Sequence, residues 1–205
     1  MLLHGYGNHR PRGHWQWWLA EQLRRRDEQV LYPQLPDPDR PDPAAWLQVL
    51  ADEYEQLGPG ERIVVCHSLA CALWYLAAAS GTAVLARPAG RVLLVAPAGR
   101  RDLAQLGLAG FAPTPWRAHV LASSSSKRIK LVASDNDPNC SAGTAAALYG
   151  RPLGLDAETI PGAGHLTTDD GYGPWPEVLG WCLDPETRFC GGGPRRQAKT
   201  APGQD

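Results

Sequence analysis

The chain has 205 residues, 43% of them hydrophobic, and a formal net charge of -1 at neutral pH. That length and apolar content suffice for one substantial core, so a single domain over residues 1–189 is expected. A charge this near zero supplies no field for nucleic acid or an acidic membrane, and no apolar run is long enough to span a bilayer.

In chain order, Leu2-Leu3-His4-Gly5-Tyr6-Gly7-Asn8 reads as a strand end running into a His-Gly pair and a flexible loop. Only Met1, Leu2 and Leu3 precede His4, whereas a central parallel strand takes about five residues, so the first strand is expected to be truncated. An amphipathic helix carrying Trp15, Trp18, Leu19 and Leu23 follows, with Arg24-Arg25-Arg26 as its solvated face and C-terminal charge. Val30 to Tyr32 is a β-like run, and Pro33 to Pro43 a stiff, extended loop. Asp42-Pro43 then supplies an N-cap and a first-turn proline to a helix whose apolar face holds Trp46, Leu47, Leu50 and Leu57.

Ile63 to Cys66 is a β-branched strand, and Leu69 to Ala79 is a helix apolar nearly all round, hence shielded on several sides. Further β-like runs lie at Arg91 to Val95, Ile129 to Ala133 and Leu155 to Ile160. Gly171-Tyr172-Gly173-Pro174 precedes a last helix, Trp175 to Leu183. Strands alternating with helical segments predict an α/β fold, a mostly parallel sheet covered on both faces. Gly99 to Trp116 carries Leu103, Leu106, Leu108, Phe111 and Trp116, which either line a substrate pocket or cover the core. The tail from Cys190 has the composition of a disordered segment.

Cys66, Cys71, Cys140, Cys182 and Cys190 show no C-x-x-C pair and no metal-site spacing. Cys66 in a buried strand and Cys71 on the helix behind Ser68 suit reduced thiols packed as small hydrophobes, and with no signal-peptide core the expected location is the cytoplasm.

Chemistry concentrates in three places. Ile63-Val64-Val65-Cys66-His67-Ser68-Leu69-Ala70 reads as strand, turn and helix, with Ser68 at the turn and the Leu69 amide at the helix start facing a developing oxyanion. The G-x-S-x-G elbow is altered to Cys66 and Ala70, both still small. Lys130-Leu131-Val132-Ala133-Ser134-Asp135-Asn136-Asp137-Pro138 delivers carboxylates at a strand end, and Gly162-Ala163-Gly164-His165 places a histidine in a glycine-rich loop. The order Ser, Asp, His is that of α/β-hydrolases. A second oxyanion donor is expected after His4-Gly5, from the Tyr6 amide, with His4 itself a structural hydrogen-bonding residue rather than the base.

On His4-Gly5-Tyr6-Gly7, His14-Trp15, the Cys66-to-Ala70 elbow, Ser134 to Pro138 and Gly162 to His165, the chain resembles the small serine hydrolases related to retinoblastoma-binding protein nine and the bacterial YdeN proteins. The resemblance spans about residues 1–183. It implies an α/β-hydrolase fold without a large lid domain, a Ser68-Asp137-His165 triad, and carboxylesterase-like hydrolysis of a small ester-like substrate with no metal or organic cofactor. Asp137 precedes the proline as in that family's pattern. Asp135 is the alternative acid, since two residues along an extended strand end share a facing. Two other functions are compatible with the same residues: a non-catalytic scaffold binding a protein or hydrophobic ligand, and a serine peptidase.

Overall fold

The β-branched run Ile63-Val64-Val65 favours extended backbone, and its near-complete burial is what a central parallel strand requires. A computed structural model describes residues 1–81 and 87–189, so the tail from Cys190 lies outside the described residues. Five strands, β1 (Leu2–Leu3), β2 (Ile63–His67), β3 (Ala89–Val95), β4 (Ser125–Ser134) and β5 (Asp156–Ile160), run parallel and lie across the sheet in sequence order. The register pairs Leu3 with Cys66, His67 with Val95, Val95 with Val132, and Ser134 with Ile160. Loops leaving the strands' carboxyl ends therefore emerge along one edge.

Alternation along the strands sorts side chains into two cores. Leu3, Val64, Cys66, Val92, Leu94, Leu131 and Ala133 pack with Trp46 and Trp74 on one face. Leu2, Val65, Leu93, Val95 and Val132 pack with Trp15, Trp175 and Trp181 on the other. Helices α1 (Trp15–Arg24), α2 (Pro43–Glu55) and α3 (Leu69–Ala79) and a closing helix, Pro176–Leu183, cover these faces. As its sequence predicts, α2 starts on an Asp42 cap, whose carboxylate accepts the Ala45 amide at 2.7 Å, followed by Pro43 in the first turn.

Three segments differ from expectation. Val30 to Tyr32 is not a strand; it runs beside β1, where the Leu2 amide donates to the Leu31 carbonyl at 2.8 Å, and the two-residue β1 offers too little edge for a ladder. Strand β4 begins four residues before the apolar run, at Ser125, because polar contacts extend it: Arg128 pairs with Asp156 at 2.9 Å, and the Ser125 hydroxyl donates to the Gly90 carbonyl at 2.9 Å. In the 99–116 stretch, Leu103, Leu108, Phe111 and Trp116 are buried in the core, with Trp116 stacked on Tyr75 at 5.0 Å, while Leu106 is exposed. Those buried side chains cover the core. Among the described residues no helix is long and apolar enough to cross a membrane.

Candidate active site

Ser68 stands between β2 and α3 with φ 56° and ψ -120°, a strained conformation for a residue bearing a side chain. The turn is pinned on both sides: the Ser68 amide donates to the Val95 carbonyl at 2.9 Å, and its carbonyl accepts the Cys71 amide at 3.0 Å. Cys66 and Ala70, standing where an elbow usually has glycine, are fully buried and small enough for the turn to form. The close approach falls instead on Gly5, where a Cβ would lie 2.8 Å from the Ser68 Cβ and 3.2 Å from its Oγ. Burial raises the pKa of the Cys66 and Cys71 thiols, which stay protonated.

The Ser68 hydroxyl lies 2.8 Å from His165 Nε2. On the far side of the ring, Nδ1 lies 2.8 Å and 2.9 Å from the two carboxylate oxygens of Asp137. The Asp137 side chain is 1% exposed and also accepts the Asn139 amide at 2.8 Å, which holds it as an oriented acceptor. Of the two candidate acids, Asp137 meets the histidine. Asp135 instead accepts the Gly162 amide at 2.8 Å.

The histidine loop is held through its backbone. Ser134 Oγ accepts the Ala163 amide at 2.9 Å, Asn136 Oδ1 the Gly164 amide at 2.7 Å, and Asp170 Oδ2 the His165 amide at 2.9 Å. The next carbonyls are held too: the His165 carbonyl lies 3.0 Å from His67 Nε2, and the Leu166 carbonyl accepts Trp15 Nε1–H at 2.9 Å. Gly162 and Gly164 have φ of 66° and 60°, and a Cβ at Gly164 would overlap the Asp170 carboxylate. These anchors do not follow from the search for nucleophile, acid and base. One had a legible signal: Thr167 and Asp170 have the spacing of a capping box and form one here.

On the other flank, the Tyr6 and Leu69 amides donate to no protein acceptor among the described residues. His4 is fully buried, its Nδ1 2.9 Å from the Gly5 carbonyl and its Nε2 accepting the Leu35 amide at 2.9 Å; it does not reach Ser68. Burial lowers the pKa of His4 and of His14 to about 4, and that of His67 well below the ordinary value, so three neutral imidazoles lie beneath the site. A cavity of about 470 Å³ lies at the strands' amino ends, lined by Leu2, Ile63 and Arg91, away from Ser68.

Solved structures share this fold. The YdeN gene product of B. subtilis is 21% identical, with a TM-score of 0.71 over 89% of this chain and 95% of that one. A putative YdeN-like hydrolase from Pectobacterium atrosepticum is 20% identical, with a TM-score of 0.65 over 87% and 85%. Est1E from Butyrivibrio proteoclasticus is 16% identical, with a TM-score of 0.51 over 80% and 78%. The architecture is that of the α/β-hydrolases. No curated protein matches the chain significantly in sequence. The family model described as Serine hydrolase matches residues 1–182, nearly the whole of the chain, which therefore belongs to the serine hydrolase family.

Proposed function

We propose that the protein is a carboxylesterase that transfers the acyl group of a small ester-like substrate to water through Ser68, His165 and Asp137. His165 Nε2 takes the Ser68 proton as Oγ attacks the carbonyl carbon, and Asp137 holds the ring by its Nδ1–H and stabilises the imidazolium. The Leu69 and Tyr6 amides receive the oxyanion. Collapse of the tetrahedral intermediate expels the alcohol, which takes its proton from His165. Water, deprotonated by the same nitrogen, then attacks the acyl-enzyme and releases the acid and free Ser68.

The observation that carries this reading is the continuous hydrogen-bonded chain from Ser68 Oγ through His165 to Asp137, at 2.8 Å on each side of the ring. Labelling with a fluorophosphonate probe, followed by mass mapping of the adduct, tests it. An adduct at Ser68 that is lost in Ser68→Ala is expected. A folded protein that takes no label overturns the proposal.

A further inference from the structure

The His14-Trp15 pair and the residue before the nucleophile, His67, have no step in the acyl transfer, yet they converge on its base. His67 Nε2 lies 3.0 Å from the His165 carbonyl, and Trp15 Nε1–H donates to the next carbonyl, that of Leu166, at 2.9 Å. A carbonyl can only accept, so His67 carries its proton on Nε2. Burial, which lowers its pKa well below the ordinary value, keeps the ring neutral with the lone pair on Nδ1. The two donors come from different elements and brace each other. His67 ends β2 in register with Val95, and Trp15 opens α1, whose start His14 caps by accepting the Gln16 amide on Nδ1 at 3.2 Å. The Trp15 ring meets that of His67 edge to face at 5.5 Å and that of Trp175 at 5.3 Å, which leaves the indole N–H one direction to point.

Two held carbonyls fix the residue between them. The peptide planes on either side of the Leu166 Cα carry the His165 and Leu166 carbonyls, so directing both sets the φ and ψ of Leu166. That residue is fully buried and has φ 58°, in the left-handed region that a side chain disfavours. Such a conformation persists only where its surroundings impose it. The first of the two planes also contains the His165 Cα. With the His165 amide held by Asp170 at 2.9 Å, the base is gripped on both sides of its Cα and keeps only its side-chain torsions. His67 adjoins Ser68 in the chain, and the Ser68 amide is bound to the carbonyl of Val95, the register partner of His67. One strand end therefore carries the nucleophile and holds the base.

We propose that His67 and Trp15 act as one positioning pair, whose ring N–H groups hold the His165 and Leu166 carbonyls, keep Leu166 left-handed and set the His165 ring within hydrogen-bond reach of Ser68. The inference rests on the acyl-transfer reading above, in which His165 takes the Ser68 proton. Acting through His165 rather than on the substrate, the pair governs the alignment of nucleophile and base, and hence kcat more than binding of the ground state.

The test compares wild type with His67→Phe, His67→Gln, Trp15→Phe and the double variant of the two Phe changes in the full chain, with p-nitrophenyl acetate as substrate and a fluorophosphonate as label. Each Phe change keeps a ring and removes the N–H, and is expected to lower kcat about 10- to 100-fold with KM nearly unchanged. Because both bonds hold one residue, the double variant should lose little more than the worse single one; losses that simply multiply overturn the pairing. His67→Gln returns an N–H near the place of Nε2 and is expected to recover most of the loss. The downfield proton resonance of His165 Nδ1–H, bonded to Asp137, should shift or broaden in both Phe variants and return in His67→Gln. Folded Phe variants with wild-type kcat and an unmoved His165 resonance overturn the proposal, as does a His67→Gln as impaired as His67→Phe. Should the variants fail to fold, nitrogen NMR of the wild-type histidines decides: a His67 ring protonated at Nε2 is expected, and one protonated at Nδ1 overturns the proposal. A wild type that takes no label brings down the acyl-transfer reading itself, whereas a labelled wild type beside unaffected variants removes only the role of the pair.

Discussion

Asp170 Oδ2 accepts the backbone amide of His165 at 2.9 Å, and the same oxygen accepts the Thr167 amide at 3.1 Å and the Thr167 hydroxyl at 2.8 Å. One carboxylate thus closes the turn that follows the histidine and fixes where the ring stands relative to Ser68. Because His165 is held from its backbone as well as by Asp137, its position depends on residues that never touch a substrate.

Asp170→Ala should therefore lower kcat/KM about 10- to 100-fold by loosening the Ser68–His165 contact. The lost charge-assisted bonds should cost about 2 kcal/mol of stability. Steady-state kinetics beside urea unfolding check this; a destabilised variant with wild-type kcat/KM would show that the loop keeps its geometry without Asp170.

Asp137→Asn and Asp135→Asn should separate cleanly. The first removes the carboxylate that faces His165 Nδ1, and kcat should drop by about 10⁴ with little change in melting temperature. The second weakens only the bond to the Gly162 amide, so activity should remain within a fewfold of wild type and stability should fall by about 1 kcal/mol. Equal losses of kcat in the two variants would contradict the division of labour.

Gly5→Ala places a Cβ 2.8 Å from the Ser68 Cβ and 3.2 Å from the His67 carbonyl, so the loop has to retreat from the nucleophile. A fall in kcat/KM of about 100-fold or more is expected, with a stability cost of about 1–3 kcal/mol. An Ala variant as active as wild type would mean that the approach of the loop to Ser68 does not matter to the reaction.

Stability should decline in mild acid. His4 and His14, with pKa values lowered to about 4, and His67, held well below its ordinary value by burial, are neutral when folded, whereas in the unfolded chain they return to the ordinary value near 6.5. Below that value the unfolded state binds protons that the folded state refuses. The stabilisation is therefore fully present above pH 6.5 and is lost progressively as the pH falls toward 4, at up to ~1.4 kcal/mol per pH unit for each histidine. Urea midpoints followed from about pH 7 down to about pH 5 report this directly; a flat profile would mean that the imidazoles are solvated.

How much of this was legible in the sequence depended on the range of the interactions involved. Helix α2 is set by Asp42, Pro43 and an apolar periodicity, and α3 by the uninterrupted apolar run after Ser68, so both are readable from neighbouring residues. The elbow is locally legible too: a β-branched strand, small flanking residues and a helix start mark Ser68 as a turn residue, and the Val95 carbonyl then pins that turn through the Ser68 amide. The same holds for the order of serine, acid and histidine, which is a property of the chain itself.

Tertiary structure decided what neighbouring residues leave equivalent. Asp135 and Asp137 share a facing along an extended strand end, and only the arrival of the 162–166 loop assigns one to the Gly162 amide and the other to the ring. Leu103, Phe111 and Trp116 are apolar in either role, and their burial against α2 and α3 fixes them as core. The bond from Trp15 to Leu166 joins residues 151 apart, and that from His4 to Leu35 joins a strand end to a proline-rich loop. Sequence sets which groups a chain can offer; which donor meets which acceptor is settled only when distant segments are packed together, because a hydrogen bond requires a defined distance and angle that no local pattern encodes.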